Sequence, residues 1–261
     1  MQKLTQKIKA TAYLRRTTDK MKSENQRDFI FVRHGRSVAN SEFIIQGRID
    51  SPLSGEGRKQ ALKTAKLLKE KYSDTIEAIY TSPLSRARET AEIIANELNF
   101  PGNIVVVEDL TEASFGKWEG KTPEEVIKED PELFYLWLKN PSEVIPPGGE
   151  GFDRVRERIS RAMESIRKKE SGKNVVVVGH AASFSAYLNF LYSFPPESLW
   201  KIALGNASIS IFDNQTYETP PTLKTLNSYF HLESLDVFLK DQYFSKSGSS
   251  KNDFLEGNNR K

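Results

Sequence analysis

The chain has 261 residues, enough for one large domain or two small ones, and its apolar runs stop at the few residues around Val105 and Val175, far short of the ~20 of a membrane span. It contains no cysteine, which excludes a disulfide framework, thiolate metal sites and a cysteine nucleophile, fits a reducing interior and places the chain in the cytoplasm as an expectation. The net charge of +3 belongs to the ends, since residues 1–28 carry +5 and 240–261 carry +2, leaving −4 on 29–239; nucleic-acid affinity is built from neutralised phosphates, so nucleic acid is set aside as a partner.

Residues 1–27 lack an acidic side chain before Asp19 and pair Arg15 with Arg16. A transit peptide or a membrane-surface anchor has that composition, as does a solvated terminal extension or a segment upstream of a start at Met21. A poorly ordered extension is the expectation here. The polar stretch 233–261, rich in Ser, Gly, Asn and Lys towards its end, reads as a flexible tail.

Between the ends, short β-branched or aromatic runs predict strands over Phe29–Val32, Ile76–Thr81, Ile104–Val107, Val175–Gly179 and Ser208–Phe212. Helical spacing separates them. Leu62, Ala65, Leu68 and Tyr72 share a face behind Ser54, a cap residue. Ala87, Ala91, Ile94, Ala95 and Leu98 share another, with Ser82 predicted as its cap and Pro83 as its first residue. Thr122 and Glu125 make a capping box for a short helix that Pro131 ends or restarts. Phe152, Val155, Ile159, Ala162, Met163 and Ile166 form the longest apolar stripe, after a turn at Pro146–Gly149. Near-continuous apolar strands alternating with helices predict one α/β domain over 28–232, a three-layer α/β/α sandwich with a largely parallel central sheet.

Ligands of open α/β sheets bind at the carboxyl ends of the strands. The first strand is followed by Arg33, His34 and Gly35, then Arg36, Ser37 and Asn40; the second by Ser82 and Arg86; the third by Glu112 and the run Phe115–Gly120; the fourth by His180. Taken singly, each has a plain structural explanation: a hydrogen-bonded histidine, a surface arginine, a solvated carboxylate, a core tryptophan at Trp118. Their conjunction at four successive strand ends favours a site. His231 has no partner motif and reads as structural.

The chemistry suited to this set is phosphoryl transfer. Arginine offers a permanently charged planar fork to two phosphate oxygens. Neutral imidazole attacks phosphorus and splits one hard step into two, and a carboxylic acid protonates the leaving alkoxide and later activates water. The residues alone leave open which of His34 and His180 attacks. No cluster with metal-ligand spacing is present in the sequence, and no cofactor is expected.

The segments FVRHGRSVAN, QGRIDSPLSGEGRKQA, TSPLSRARETAEII, LTEASFGKWEG, PPGGE and VVVVGH resemble, in order, the histidine phosphatase superfamily, the group of phosphoglycerate mutase-like enzymes and related phosphatases. The resemblance spans about 28–232. It implies that His34 is the phosphorylated nucleophile, that Arg33, Arg86 and His180 hold the phosphoryl group with Asn40 adding a hydrogen bond, that Glu112 is proton donor and base, and that Gln46 and Gly47 line the substrate side. Two departures stand out: Arg36-Ser37 replaces the frequent Glu-Thr pair, and Ala181-Ala182 follows the second histidine where glycine is common. The short segment between Glu112 and His180 resembles the phosphatase branch, which includes α-ribazole phosphatase and broad-specificity phosphatases, more than the mutases. The implied activity is metal-independent hydrolysis of a small phosphorylated metabolite, with a 2,3-bisphosphoglycerate-dependent mutase or a non-catalytic binding module as alternatives. Phe115, Lys117 and Trp118 are expected near the mouth of the site, and Arg36 and Arg48 are candidates for a second anionic group.

Overall fold

The computed structural model describes residues 27–232. The expected N-terminal extension, apart from Arg27, and the expected C-terminal tail lie outside the described residues. Six strands form one sheet in the order β3-β2-β4-β1-β5-β6. These are β1 (Asp28–Arg33), β2 (Ile76–Thr81), β3 (Ile104–Val106), β4 (Asn174–Gly179), β5 (Ile209–Asp213) and β6 (Leu223–Ser228). The first four run parallel, while β5 is antiparallel to β1 and β6 to β5.

Side-chain alternation divides the core into two layers. Ile30, Val32, Val176 and Val178 face one side, which is covered by α2 (Gly55–Tyr72) and α3 (Ser85–Leu98) through Ala65, Leu68, Ala91 and Ile94. Phe29, Phe31, Val175 and Val177 face the other, covered by α6 (Phe152–Lys169) and α7 (Ala181–Tyr192). Every residue of β1 and β4 is buried, as strands covered on both faces require. The remaining helices are α1 (Val38–Ser41), α4 (Pro123–Glu129) and α5 (Pro131–Lys139). The Thr122–Glu125 capping box is present, and Pro131 restarts the chain as α5 behind the Asp130 cap.

The structure departs from the sequence reading at several points. Helix α3 begins at Ser85, with Leu84 at its cap position. Ser82 is therefore not the cap; its hydroxyl accepts from Leu84 N at 3.3 Å and shares a bond with His180 Nε2. Strand β3 stops at Val106, one residue early. Strand β6 and helix α7 were not predicted. LKTLNS has a single β-branched residue and only one covered face, and AASFSAYLNFLY is buried nearly all round, so neither has the periodicity that reveals a half-buried element. Finally, Phe115 and Trp118, expected near the mouth of the site, join the aromatic core. Both are buried, and Trp118 packs edge-on against Phe134 and Trp137 with centroids at 5.4 and 5.2 Å; α5 supplies the rings that cover them, so the large apolar area is spent on the core. Lys117 is exposed.

Candidate active site

Strand register sets the site. Arg33 pairs with Gly179 across β1 and β4, and Thr81 pairs with Val178 across β2 and β4. The next residues of the three strands, His34, His180 and Ser82, therefore emerge together at the carboxyl edge of the sheet. Two backbone bonds continue the ladder there: His34 N donates to Gly179 O at 3.0 Å and Ser82 N to Val178 O at 3.1 Å. The two imidazoles end with ring centroids 5.1 Å apart.

His34 is fixed by its neighbours. Its Nδ1 lies 2.7 Å from the carbonyl oxygen of Gly35. A carbonyl only accepts, so Nδ1 carries the ring proton and Nε2 keeps its lone pair. Arg86 brings Nε–H to that lone pair at 3.3 Å. Burial, followed by the charges of Arg86 and Arg33, holds the His34 pKa well below its ordinary value, with the Gly35 bond opposing. The ring is neutral where a free imidazole would be half protonated.

His180 is fully buried, and its Nε2 shares a 2.7 Å hydrogen bond with the Ser82 hydroxyl. Its Nδ1 is buried with no hydrogen-bond partner. Burial comes first in lowering its pKa well below normal, followed by the charges of Arg86, His34 and Arg33.

The arginines are held by carbonyls. Arg86 projects from the first turn of α3 and donates from Nη1 to Ile49 O at 3.0 Å and from Nη2 to Gly47 O at 2.8 Å. Burial lowers its pKa to about 10, against the opposing charges of Glu112 and Asp50, so it stays cationic at neutral pH. Arg33 donates from Nη1 to Leu204 O. Gly47 has φ +51°, and a Cβ there would lie 2.2 Å from Glu119 Oε1. The left-handed backbone favours glycine where the loop beneath Arg86 meets that carboxylate.

Glu112 follows the turn after β3, and its carboxylate lies against the start of α7. Oε1 accepts from Ala113 N at 2.9 Å and Ser183 N at 2.8 Å, and Oε2 from Ala182 N at 3.1 Å. The alanine at 182 thus supplies its amide without a positive φ, so this departure from the family pattern leaves the donor in place. At the other departure, Ser37 presents a hydroxyl in place of threonine's. Its hydroxyl accepts from Asn40 N at 3.0 Å, and donates to Gln46 Oε1 at 2.8 Å.

The structure therefore brings His34, His180, Arg33, Arg86, Glu112 and Asn40 to one end of the sheet. Gln46 is reached through Ser37, and Gly47 acts on Arg86 through its carbonyl. Two contacts escape the sequence reading. Ser82, placed at a strand end but expected as a cap, bonds His180. Asn206 is fully buried and donates from Nδ2 to His34 O and to Asn40 Oδ1, both at 3.2 Å; it arrives from the turn before β5, with no motif around it to announce the contact. Among the described residues, no group of three or more His, Asp or Glu side chains is placed to hold a metal ion, and no helix is long and apolar enough to cross a membrane.

Residues 29–228 match the histidine phosphatase superfamily (branch 1). The chain belongs to that superfamily. It is thereby an enzyme of the phosphoric monoester hydrolase class. It is 35% identical over 204 residues to phosphoserine phosphatase 1 of Hydrogenobacter thermophilus, covering 78% of this chain and 93% of that protein. It is 28% identical over 198 residues to the adenosylcobalamin/α-ribazole phosphatase of Escherichia coli, covering 76% and 94%. Among solved structures, the phosphoserine phosphatase of Entamoeba histolytica in complex with 3-phosphoglyceric acid superposes with a TM-score of 0.68 at 28% identity, over 79% of this chain and 100% of that one. This histidine phosphatase therefore shares its fold with relatives named as phosphatases.

Proposed function

We propose that this histidine phosphatase is a metal-independent phosphomonoesterase that hydrolyses a small phosphorylated metabolite through a phosphohistidine at His34. The observation that carries this is the tautomer of His34, whose Nδ1 proton is committed to Gly35 O while Nε2 keeps a lone pair beside Arg86. Ser82 can donate to or accept from His180, so no such commitment marks the second histidine.

In the first step the His34 Nε2 lone pair attacks phosphorus and the ester P–O bond breaks. Glu112 gives its proton to the departing alkoxide oxygen. In the second, the Glu112 carboxylate takes a proton from water, the water oxygen attacks phosphorus, and the N–P bond breaks. Phosphate leaves, and the His34 lone pair and the Glu112 proton are restored.

Arg33 and Arg86 offset the charge on the phosphoryl oxygens throughout, in a buried setting where such donors count for more than in water. His180 Nδ1 is an interior polar atom that a phosphoryl oxygen would satisfy when Ser82 donates to Nε2. Asn40, held through Oδ1 by Ser37 N and Asn206 Nδ2, offers its Nδ2. The substrate class is a small phosphomonoester with an alkyl leaving group. The relatives named for phosphoserine make phosphoserine the first compound to assay.

The test is phosphate release in EDTA from a panel of phosphoserine, 3-phosphoglycerate, sugar phosphates, nucleotides and p-nitrophenyl phosphate. Wild type is expected to turn over at least one alkyl phosphate, and His34→Ala none. Strict metal dependence, or a fully active His34→Ala, would overturn the proposal.

A further inference from the structure

We infer that Arg158 is a positioning residue for the proton transfers of Glu112, and that Glu150 couples it to the loop beneath Arg86. This rests on the proton-donor role proposed above for Glu112.

Arg158 lies on α6, outside the phosphate pocket, with its side chain 9% exposed. All five N–H donors of its guanidinium are matched. Nη1 donates to Asp109 O at 3.0 Å and Thr111 O at 2.7 Å, and Nη2 to Glu112 O at 2.9 Å. Nε and Nη2 also form a two-pronged pair with Glu150 Oε1 and Oε2, each at 2.9 Å. Three carbonyls of the segment that carries Glu112 are thus tied to one rigid fork. The Glu112 carboxylate is tied separately to α7. The backbone of Glu112 is held from α6 and its carboxylate from α7, so the distance between carboxyl oxygen and leaving group is set by both anchors.

Glu150 extends the coupling. Its Oε2 also accepts from Arg48 Nη2 at 2.9 Å, while Arg48 Nε donates to Glu112 O at 3.3 Å. Arg48 stands between Gly47 and Ile49, whose carbonyls hold Arg86. One buried carboxylate therefore joins the acid loop to the phosphate-binding loop. The PPGGE segment is shaped for this contact. Glu150 N donates to Ser114 O at 2.8 Å, and a Cβ at Gly149 would lie 2.7 Å from that same oxygen.

Lysine keeps the charge of Arg158 but has three donors from one atom, and cannot span three carbonyls and a carboxylate. The experiment compares kcat/KM of wild type, Arg158→Lys, Glu112→Gln and the double variant on phosphoserine, or the best alkyl phosphate found, and on p-nitrophenyl phosphate, whose leaving group barely needs a proton. A misplacement of about 1 Å costs up to about a hundred-fold, so Arg158→Lys is expected to lose about ten-fold or more on the alkyl ester. Its loss on p-nitrophenyl phosphate should stay under about three-fold, and in the Glu112→Gln background it should cost the alkyl ester almost nothing further. Glu150→Gln is run alongside and should lose more on the alkyl ester than on p-nitrophenyl phosphate, its smaller loss on the latter reporting the tie to the loop beneath Arg86, which keeps the question decidable if Arg158→Lys folds poorly.

Equal losses on both esters, or losses that multiply in the double variant, would make Arg158 a structural residue only. If Glu112→Gln itself shows no leaving-group dependence, the proton-donor role falls and this inference with it. If Glu112→Gln shows it while Arg158→Lys and Glu150→Gln do not, the inference alone falls.

Discussion

Arg86 aims its Nε at the Nε2 atom of His34 across 3.3 Å, while the opposite ring nitrogen is bound to Gly35 O at 2.7 Å. A guanidinium and a backbone carbonyl thus fix which nitrogen of the imidazole is basic, and the same guanidinium is held in turn by the carbonyls of Gly47 and Ile49. The nucleophile and the charge that the phosphoryl group meets are positioned as one unit.

That arrangement sets a pH dependence. His34 and His180 are both held well below the ordinary imidazole value, by burial first and by neighbouring arginine charge second. In the unfolded chain they take up protons near pH ~6.5. Folded His34 is therefore already neutral at about pH 6, and its ring protons should show no titration by NMR between about pH 8 and 6. Because the unfolded state binds more protons, stability is lost as pH falls from about 6.5 towards the folded values. His231, lowered to about 4 chiefly by burial, adds in the same direction. Thermal melts should show a lower Tm at about pH 5.5 than at 7.5; a flat Tm, or His34 resonances titrating near 6.5, would contradict the burial of neutral rings.

Arg86→Lys keeps the positive charge but loses the planar fork and the donor to His34. Removing one preorganised donor from a charge-stabilising site costs about 2.7–4 kcal/mol, roughly a hundred- to thousand-fold in rate. The loss should appear in kcat/KM on alkyl and aryl phosphates alike, since both carry the same phosphoryl group. A loss confined to alkyl esters would give Arg86 some other role.

Glu112→Gln separates the two ester types. Alkyl esters need a proton on the leaving oxygen, and kcat/KM should fall by about a hundred-fold or more. For p-nitrophenyl phosphate kcat/KM, which ends with departure of the leaving group, should change little. Equal losses would remove Glu112 from the acid role.

Gly116 tests the packing beside the site. Its φ is +54°, and a Cβ would meet Pro147 O at 2.3 Å and Gly149 N at 2.4 Å. Gly116→Ala adds left-handed strain of about 1–2 kcal/mol to overpacking of about 1–3 kcal/mol. Chemical denaturation should show a loss in that combined range, and a neutral variant would mean that the two turns separate without cost.

Much of this was legible in the sequence, for a physical reason. A strand end is a short-range feature, so Arg33, His34 and His180 could be placed from the apolar runs that precede them, and Arg86 from its helix. What escaped lay in contacts between distant residues. Asn206 reaches His34 O across 172 residues, and Arg158 reaches Glu112 O across 46. Neither has a local pattern that sets it apart from any other Asn or helix Arg. Ser82 was misread because a serine before a proline looks like a helix cap, whereas Leu84 holds that position and the Ser82 hydroxyl serves His180. Trp118 is expected near the mouth, yet Phe134 and Trp137, brought over by α5, bury it.

The central claim is a covalent intermediate on His34, and the Glu112→Gln variant offers the direct test. With p-nitrophenyl phosphate the first step needs no acid, while the second lacks its base, so the phosphoenzyme should accumulate. Rapid mixing should give a burst of p-nitrophenolate approaching one per active site, and alkaline quench with peptide mass spectrometry should place a phosphoryl group on His34. A phosphoryl group on His180, or turnover with neither burst nor modified histidine, would contradict the account.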